Sequence, residues 1–217
     1  MIGELNYFLG LQIRQSDPGI FISQSIYAKN LVKKFGLEFA SSIRTLMSPN
    51  VKLIVDLLGK SVDPSLYRSM IGCLLYLTAS KPHISYSVEV CARYQANPKE
   101  SHIIAVKRII KYVKSTSNFG VWYDKDTNDM LAGYFDADWA ENANDRKSTS
   151  DGCFYLGNNL VSWMSKKKNS ISLSLLLRQN TSMLVVATLN FFECKNFFLI
   201  MVFVKNISLY IVTTPVT

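Results

Sequence analysis

A chain of 217 residues with 48% hydrophobic and 18% charged content is ordinary for a globular protein, long enough for one or two domains with a sizeable core. Its formal charge of +8 points to an anionic partner, nucleic acid first, with a solvated basic surface as the alternative. Cys73, Cys91, Cys153 and Cys194 are widely spaced, and His83 and His102 lack zinc-ligand spacing with them, which argues against a zinc site or a disulfide framework. The N-terminus has no basic start and no small-residue cleavage site, and the run Phe197–Val204 is too short to span a bilayer. The expectation is an intracellular protein, in cytoplasm or nucleus, with no membrane partner and no small-molecule substrate.

In chain order, "YFLGLQIRQSDPGIFISQ" predicts a β-hairpin: Leu9, Leu11 and Ile13 alternate, Asp17–Gly19 turns, and Ile20–Ile22 returns. "SIYAKNLVKKFGL" predicts a helix with an apolar stripe of Tyr27, Leu31 and Phe35, closed by Gly36. Residues 41–62 carry no sustained period and read as a linker. Asp63 and Pro64 are the N-cap and first position of a second helix, burying Tyr67, Met70, Ile71, Leu74, Leu75 and Thr78. "SYSVEVCARYQAN" is a shorter third helix. "NPKESHIIAVKRIIKYVKST" is the fourth, with Ile103, Val106, Ile110 and Val113 inward and Lys107, Arg108, Lys111 and Lys114 as a basic outer rim. After Asn118 the period becomes two, and "FGVWYDK", "MLAGYFDADWA", "GCFYLG" and "LVSWMSKKKNSIS" predict consecutive antiparallel strands. From Leu175 on, the chain is crowded with Leu, Phe, Val and Asn, has one acid (Glu193), and shows neither period nor caps.

The series "GELNYFLGLQI", "GIFISQSIYAKNLVKKFGL", "YRSMIGCLLYLTASKPHISYSV", "NPKESHIIAVKRIIKYVKST", "GYFDADWA" and "DRKSTSDGCFYLGNNLVSWMSKKKNSISLS" resembles the Pol polyprotein of copia-type LTR retrotransposons in order and approximate spacing. The resemblance covers residues 1 to about 174. It implies that residues 1–62 are the end of a reverse transcriptase beyond its catalytic palm motif, 63–118 a helical connection, and 119–174 the opening strands of a ribonuclease H. The expected fold is α+β: an N-terminal hairpin and helix, a helical middle, a partial antiparallel ribonuclease H-like sheet, and a poorly specified hydrophobic tail.

In such a nuclease, two divalent ions about 4 Å apart activate water and stabilise the leaving oxygen, which needs several convergent carboxylates. By resemblance Asp136 is the first of these, a vestigial catalytic and metal ligand, and Asp138 an accessory or surface acid. On residue pattern alone, both could simply face solvent at a strand end. The family's next carboxylate lies on a helix beginning like S-T-A-E-A-E-Y, but Ser170–Ser174 here runs into "LLLRQN", and beyond Asp151 the only acid is Glu193. TCT ACT GCT GAG GCA GAA TAC encodes S-T-A-E-A-E-Y; read one base later it yields L-L-L-R-Q-N, matching the six residues Leu175–Asn180. Residues 175–217 are therefore expected to be an out-of-frame tail. The palm's paired aspartates would lie upstream of Met1, and no Asp-Asp pair occurs in the chain.

The expectation is a degenerate Pol fragment with neither parent activity and no cofactor of its own, Mg²⁺ belonging to the parent family. One alternative is a non-catalytic protein holding an RNA–DNA hybrid or other nucleic acid weakly and non-specifically through Lys107, Arg108, Lys111, Lys114, Lys166, Lys167 and Lys168. The other is an interaction protein using an exposed sheet edge or the apolar tail.

Overall fold

The computed structural model of the chain describes residues 6–47, 53–137 and 149–167. They form an α+β arrangement of four α-helices and two antiparallel sheets. In chain order come β1 (Tyr7–Phe8), β2 (Leu11–Ser16), β3 (Gly19–Ser23), α1 (Ser25–Lys34), α2 (Pro64–Leu77), α3 (Ser85–Ala92), α4 (Glu100–Ser115), β4 (Gly120–Asp124), β5 (Leu131–Ala137), β6 (Thr149–Leu156) and β7 (Asn159–Lys167).

The predicted N-terminal hairpin is present as β2 and β3, with Ser16 opposite Gly19 across the Asp17-Pro18 turn. Leu9 does not extend it. Leu9 and Gly10 both take positive φ, 46° and 77°, and turn the chain between β1 and β2. Glycine suits position 10 for its positive φ, and a Cβ there would displace the Tyr76 hydroxyl, which donates to Leu9 O at 2.7 Å.

All four helices share one core. Ala28, Leu31 and Val32 of α1 pack with Tyr67, Met70, Ile71, Leu74 and Leu77 of α2, Val88 and Cys91 of α3, and Ile103, Val106, Ile109, Ile110 and Val113 of α4. The 3.6-residue period explains why these positions meet. Leu75 departs from expectation: it is 42% exposed, and Leu77 takes the inward position of the last turn. Asp63 caps α2 as its sequence position implies, accepting from Ser65 N at 2.9 Å and Leu66 N at 3.3 Å.

The segment read as a linker is strapped to the core. His102 is buried: its Nδ1 accepts from Lys99 N at 3.0 Å and its Nε2 lies 2.9 Å from Ile54 O. Ser101 Oγ donates to Asp56 at 2.8 Å, and Glu100 N to Lys60 O at 3.0 Å. Ile54, Asp56 and Lys60 are thus tied to the first turn of α4.

The four C-terminal strand runs do not form one sheet. β4 pairs with β3, giving the order β1-β2-β3-β4, while β5-β6-β7 form the second sheet. Glycine permits the first pairing, since a Cβ at Gly120 would lie 2.2 Å from Ile22 O. Asn159 and Trp163 are among the side chains that join the β5–β7 sheet to the rest. Asn159 accepts from Asp124 N at 2.7 Å and donates to Asp124 O at 2.9 Å, and the Trp163 indole N–H donates to Thr78 O at 2.9 Å. Among the described residues, no helix is long and apolar enough to cross a membrane.

Candidate functional site

Asp136 lies near the C-terminal end of β5, where the backbone register opposes it to Asp151 on β6, which in turn faces Ser165 on β7. The adjoining cross-sheet row is Ala137, Ser150 and Lys166, followed by Thr149 opposite Lys167. The sheet thus brings one end of the acidic strand beside the start of the lysine run. Asp138 and Lys168 fall outside the described residues, as do positions 175–217.

Two acids opposed across antiparallel strands repel unless something compensates them. A pair of divalent ions would supply that compensation only with further oxygen ligands converging from other elements. Among the described residues no group of three or more His, Cys, Asp and Glu side chains could hold a metal ion. The third member of the Asp136–Asp151 row is a serine. Along this row the described strands offer two acids and one serine.

A cavity of about 490 Å³ opens between the start of α3 and the β5–β7 sheet, lined by His83, Tyr86, Tyr134, Cys153, Tyr155 and Trp163, with Asp151 at its wall. Tyr134 and Tyr155 meet edge to face, with centroids 5.9 Å apart. Burial, aided by the charge of Lys81, holds the His83 imidazole below its ordinary pKa, and burial pushes the Cys153 thiol up against a weaker opposing hydrogen bond from Tyr134. Both shifts favour neutral groups at neutral pH, so His83 and Cys153 do not form a thiolate–imidazolium pair. The cavity can accept an apolar or aromatic group. Sequence reasoning missed it because its wall depends on a cross-strand register, Tyr134 to Cys153 to Trp163, that no single strand encodes.

The basic rim of α4 divides in two. Lys107 is exposed and Lys111 half-buried. Arg108 donates to Thr45 Oγ1 at 2.5 Å, and the Lys114 ammonium donates to Glu38 O at 2.6 Å and Ala40 O at 2.8 Å. Arg108 and Lys114 thus hold the segment following α1 against α4, a role at odds with free phosphate contact. Lys166 and Lys167 end β7.

Sequence reasoning also passed over Lys81. It is fully buried, and its ammonium donates to Thr116 O at 2.7 Å, Ser117 O at 3.2 Å and Phe119 O at 2.8 Å, where α4 ends and the chain turns into β4. A cation at a helix C-terminus satisfies carbonyls that the helix cannot. Burial lowers its pKa to about 8. The available signal was a lysine followed by Pro82 directly after a helix, too weak alone to mark a buried cation.

The chain is 36% identical over 168 residues to the retrovirus-related Pol polyprotein from transposon RE1 of Arabidopsis thaliana, covering 77% of this chain and 12% of that polyprotein. It is 33% identical over 168 residues to the Pol polyprotein from transposon RE2 of the same plant, again 12% of that protein's length. An uncharacterized mitochondrial protein of Arabidopsis thaliana is 33% identical over 173 residues, 80% of this chain and 72% of that protein. No family profile and no solved structure matches the chain.

Proposed function

The chain belongs to the family of retrovirus-related Pol polyproteins of copia-type transposons, and we propose that it is a degenerate fragment of that polyprotein without catalytic activity. In this reading residues 1–62 are the end of the reverse transcriptase, 63–118 the helical connection and 119–174 the opening strands of a ribonuclease H. The observation that carries it is the carboxylate arrangement. Asp136 has Asp151 as its register partner on the next strand, and the only acid further along the sequence is Glu193. Two-metal phosphodiester cleavage needs a larger convergent set. Polymerase chemistry has no Asp-Asp pair to draw on in this sequence. The out-of-frame origin of residues 175–217 is part of the same proposal, supported by the L-L-L-R-Q-N match, and genomic DNA read in all frames around Ser174 tests it.

A second reading, weak backbone binding of nucleic acid, draws support from the charge of +8 and from the exposure of Lys107. It narrows the contact set to Lys107 and Lys111 on α4 with Lys166–Lys168, because Arg108 and Lys114 are engaged within the chain.

One RNA–DNA hybrid serves both readings. With Mg²⁺ or Mn²⁺ the purified protein should leave the RNA strand intact, and metal-dependent cleavage abolished by Asp136→Asn would overturn the non-catalytic reading. Binding of the same hybrid should be micromolar or weaker and fall steeply with salt, as phosphate contacts of this kind do. Lys107→Gln with Lys111→Gln should flatten that salt slope. Binding unchanged in the double variant leaves the rim a solvated face.

A further inference from the structure

The β5–β7 sheet has two unlike edges. Along β7, α3 packs against the strand, Asn159 grips the backbone of Asp124 in β4, and Trp163 reaches Thr78. At the other edge, among the described residues, β5 pairs with β6 and with nothing else. The described chain leaves the sheet at Lys167 on β7, the covered side.

An end strand carries a row of backbone donors and acceptors that can template pairing, and natural edges are blunted by lysine, proline, bulges or brevity. β5, "LAGYFDA", has seven residues, no lysine, no proline and one charge, Asp136. The sheet's register shift lies between Phe154 and Tyr155 in the β6–β7 pairing and leaves the β5–β6 register continuous. Tyr134, at the centre of the strand, is 63% exposed.

The strand is also complementary to itself. Outward-facing backbone groups recur at every second residue, so two copies of β5 can pair antiparallel only in registers that oppose residues of the same parity. The register centred on Tyr134 uses all seven residues. It sets Tyr134 against its own copy, an aromatic cross-strand pair, and Asp136 against Ala132, so the acids are not opposed. Centring on Asp136 would oppose two carboxylates and shorten the overlap. We infer that the outer edge of β5 pairs with β5 of a second copy of this chain across a two-fold axis at Tyr134, joining two three-stranded sheets into one of six strands. The interface is isologous and closed, so it yields dimers rather than fibres.

Sedimentation equilibrium of the full chain should show a monomer–dimer equilibrium. Tyr134→Lys, which opposes two lysines at the axis, should weaken it by about tenfold or more with the helical circular dichroism retained. Disulfide capture fixes the register. Since Cys153 is the β6 partner of Tyr134, the background is Cys153→Ser. There Tyr134→Cys should form a disulfide dimer on mild oxidation, because directly opposed Cα atoms lie roughly 4.5–5.5 Å apart. Ala132→Cys should not, its copy lying roughly 14 Å away. A chain that stays monomeric at high concentration overturns the inference. So does a dimer in which the two cysteine variants cross-link equally, which would place the contact elsewhere or give the edge to residues 168–217.

Discussion

The helical core and the β5–β7 sheet are of similar local regularity but differ in closure. In the core, apolar faces from four helices meet one another, and several polar groups buried at the seams are hydrogen-bonded: Tyr67 to Cys91 O at 2.8 Å, Ser80 to Gln24 at 2.7 Å, and Lys81 to three carbonyls. In the sheet, Phe154 and Val161 are buried, yet an aromatic-lined cavity lies under one face and Tyr134 stands exposed. A helix stripe finds its partner on a neighbouring helix within one short loop, whereas a sheet needs a second layer across its whole face. Asn159 and Trp163 are among the side chains that tie the sheet to the rest.

The sharpest test of that contrast is Leu74→Ala. Leu74 is fully buried at the centre of the core, so its truncation should lower stability by about 2–5 kcal/mol in urea unfolding. Native-state hydrogen exchange should place α2 and α4 near the global unfolding free energy and β5 well below it. Equal protection of β5 and α4 would erase the distinction between the two regions.

A smaller effect separates the sheet from the core. Asn159→Ala removes two hydrogen bonds to the half-buried backbone N–H and C=O of Asp124, at a cost of about 1–3 kcal/mol. The loss should appear in exchange from β6 and β7 while α2–α4 keep their protection. Loss of helix protection to the same extent would mean the sheet is part of the cooperative core.

The smallest effect is pH dependence at the alkaline end, and the core dominates it. Burial raises the Tyr67 and Tyr27 hydroxyls in the core and Tyr123 in β4, and pushes the Cys91 thiol up to about 12. These groups prefer to stay neutral in the folded state. Their contribution is complete below the ordinary values of 9.0 for the thiol and 10.0 for the phenols, and is lost as pH rises beyond them. Lys81 works the other way. Its folded value of about 8 lies below the ordinary 10.5, so its contribution grows as pH rises between the two. Stability should therefore hold or rise slightly from pH 8 to 9, then fall above 10. A continued rise through pH 11 would contradict the burial of those four acids.

Much of this molecule was legible in its residues. Asp63 and Pro64 at the start of α2, Gly36 after α1, and the inward stripe of Ile103, Val106, Ile110 and Val113 on α4 all express local rules, because caps and periodic faces are set by neighbours three or four residues away. Asp136 was legible as an acid near the end of a strand, and it is the penultimate residue of β5. Tertiary structure alone decided that β4 joins the N-terminal hairpin, that residues 53–62 strap onto α4 through His102 and Asp56, and that Arg108 and Lys114 hold a neighbouring segment. It also decided that Lys81 closes the end of α4 and that, among the described residues, the strand of Tyr134 pairs on one side only. In each of these, atoms from distant parts of the chain satisfy one another's hydrogen bonds or leave them open, and such pairings leave no period or spacing for a sequence to display.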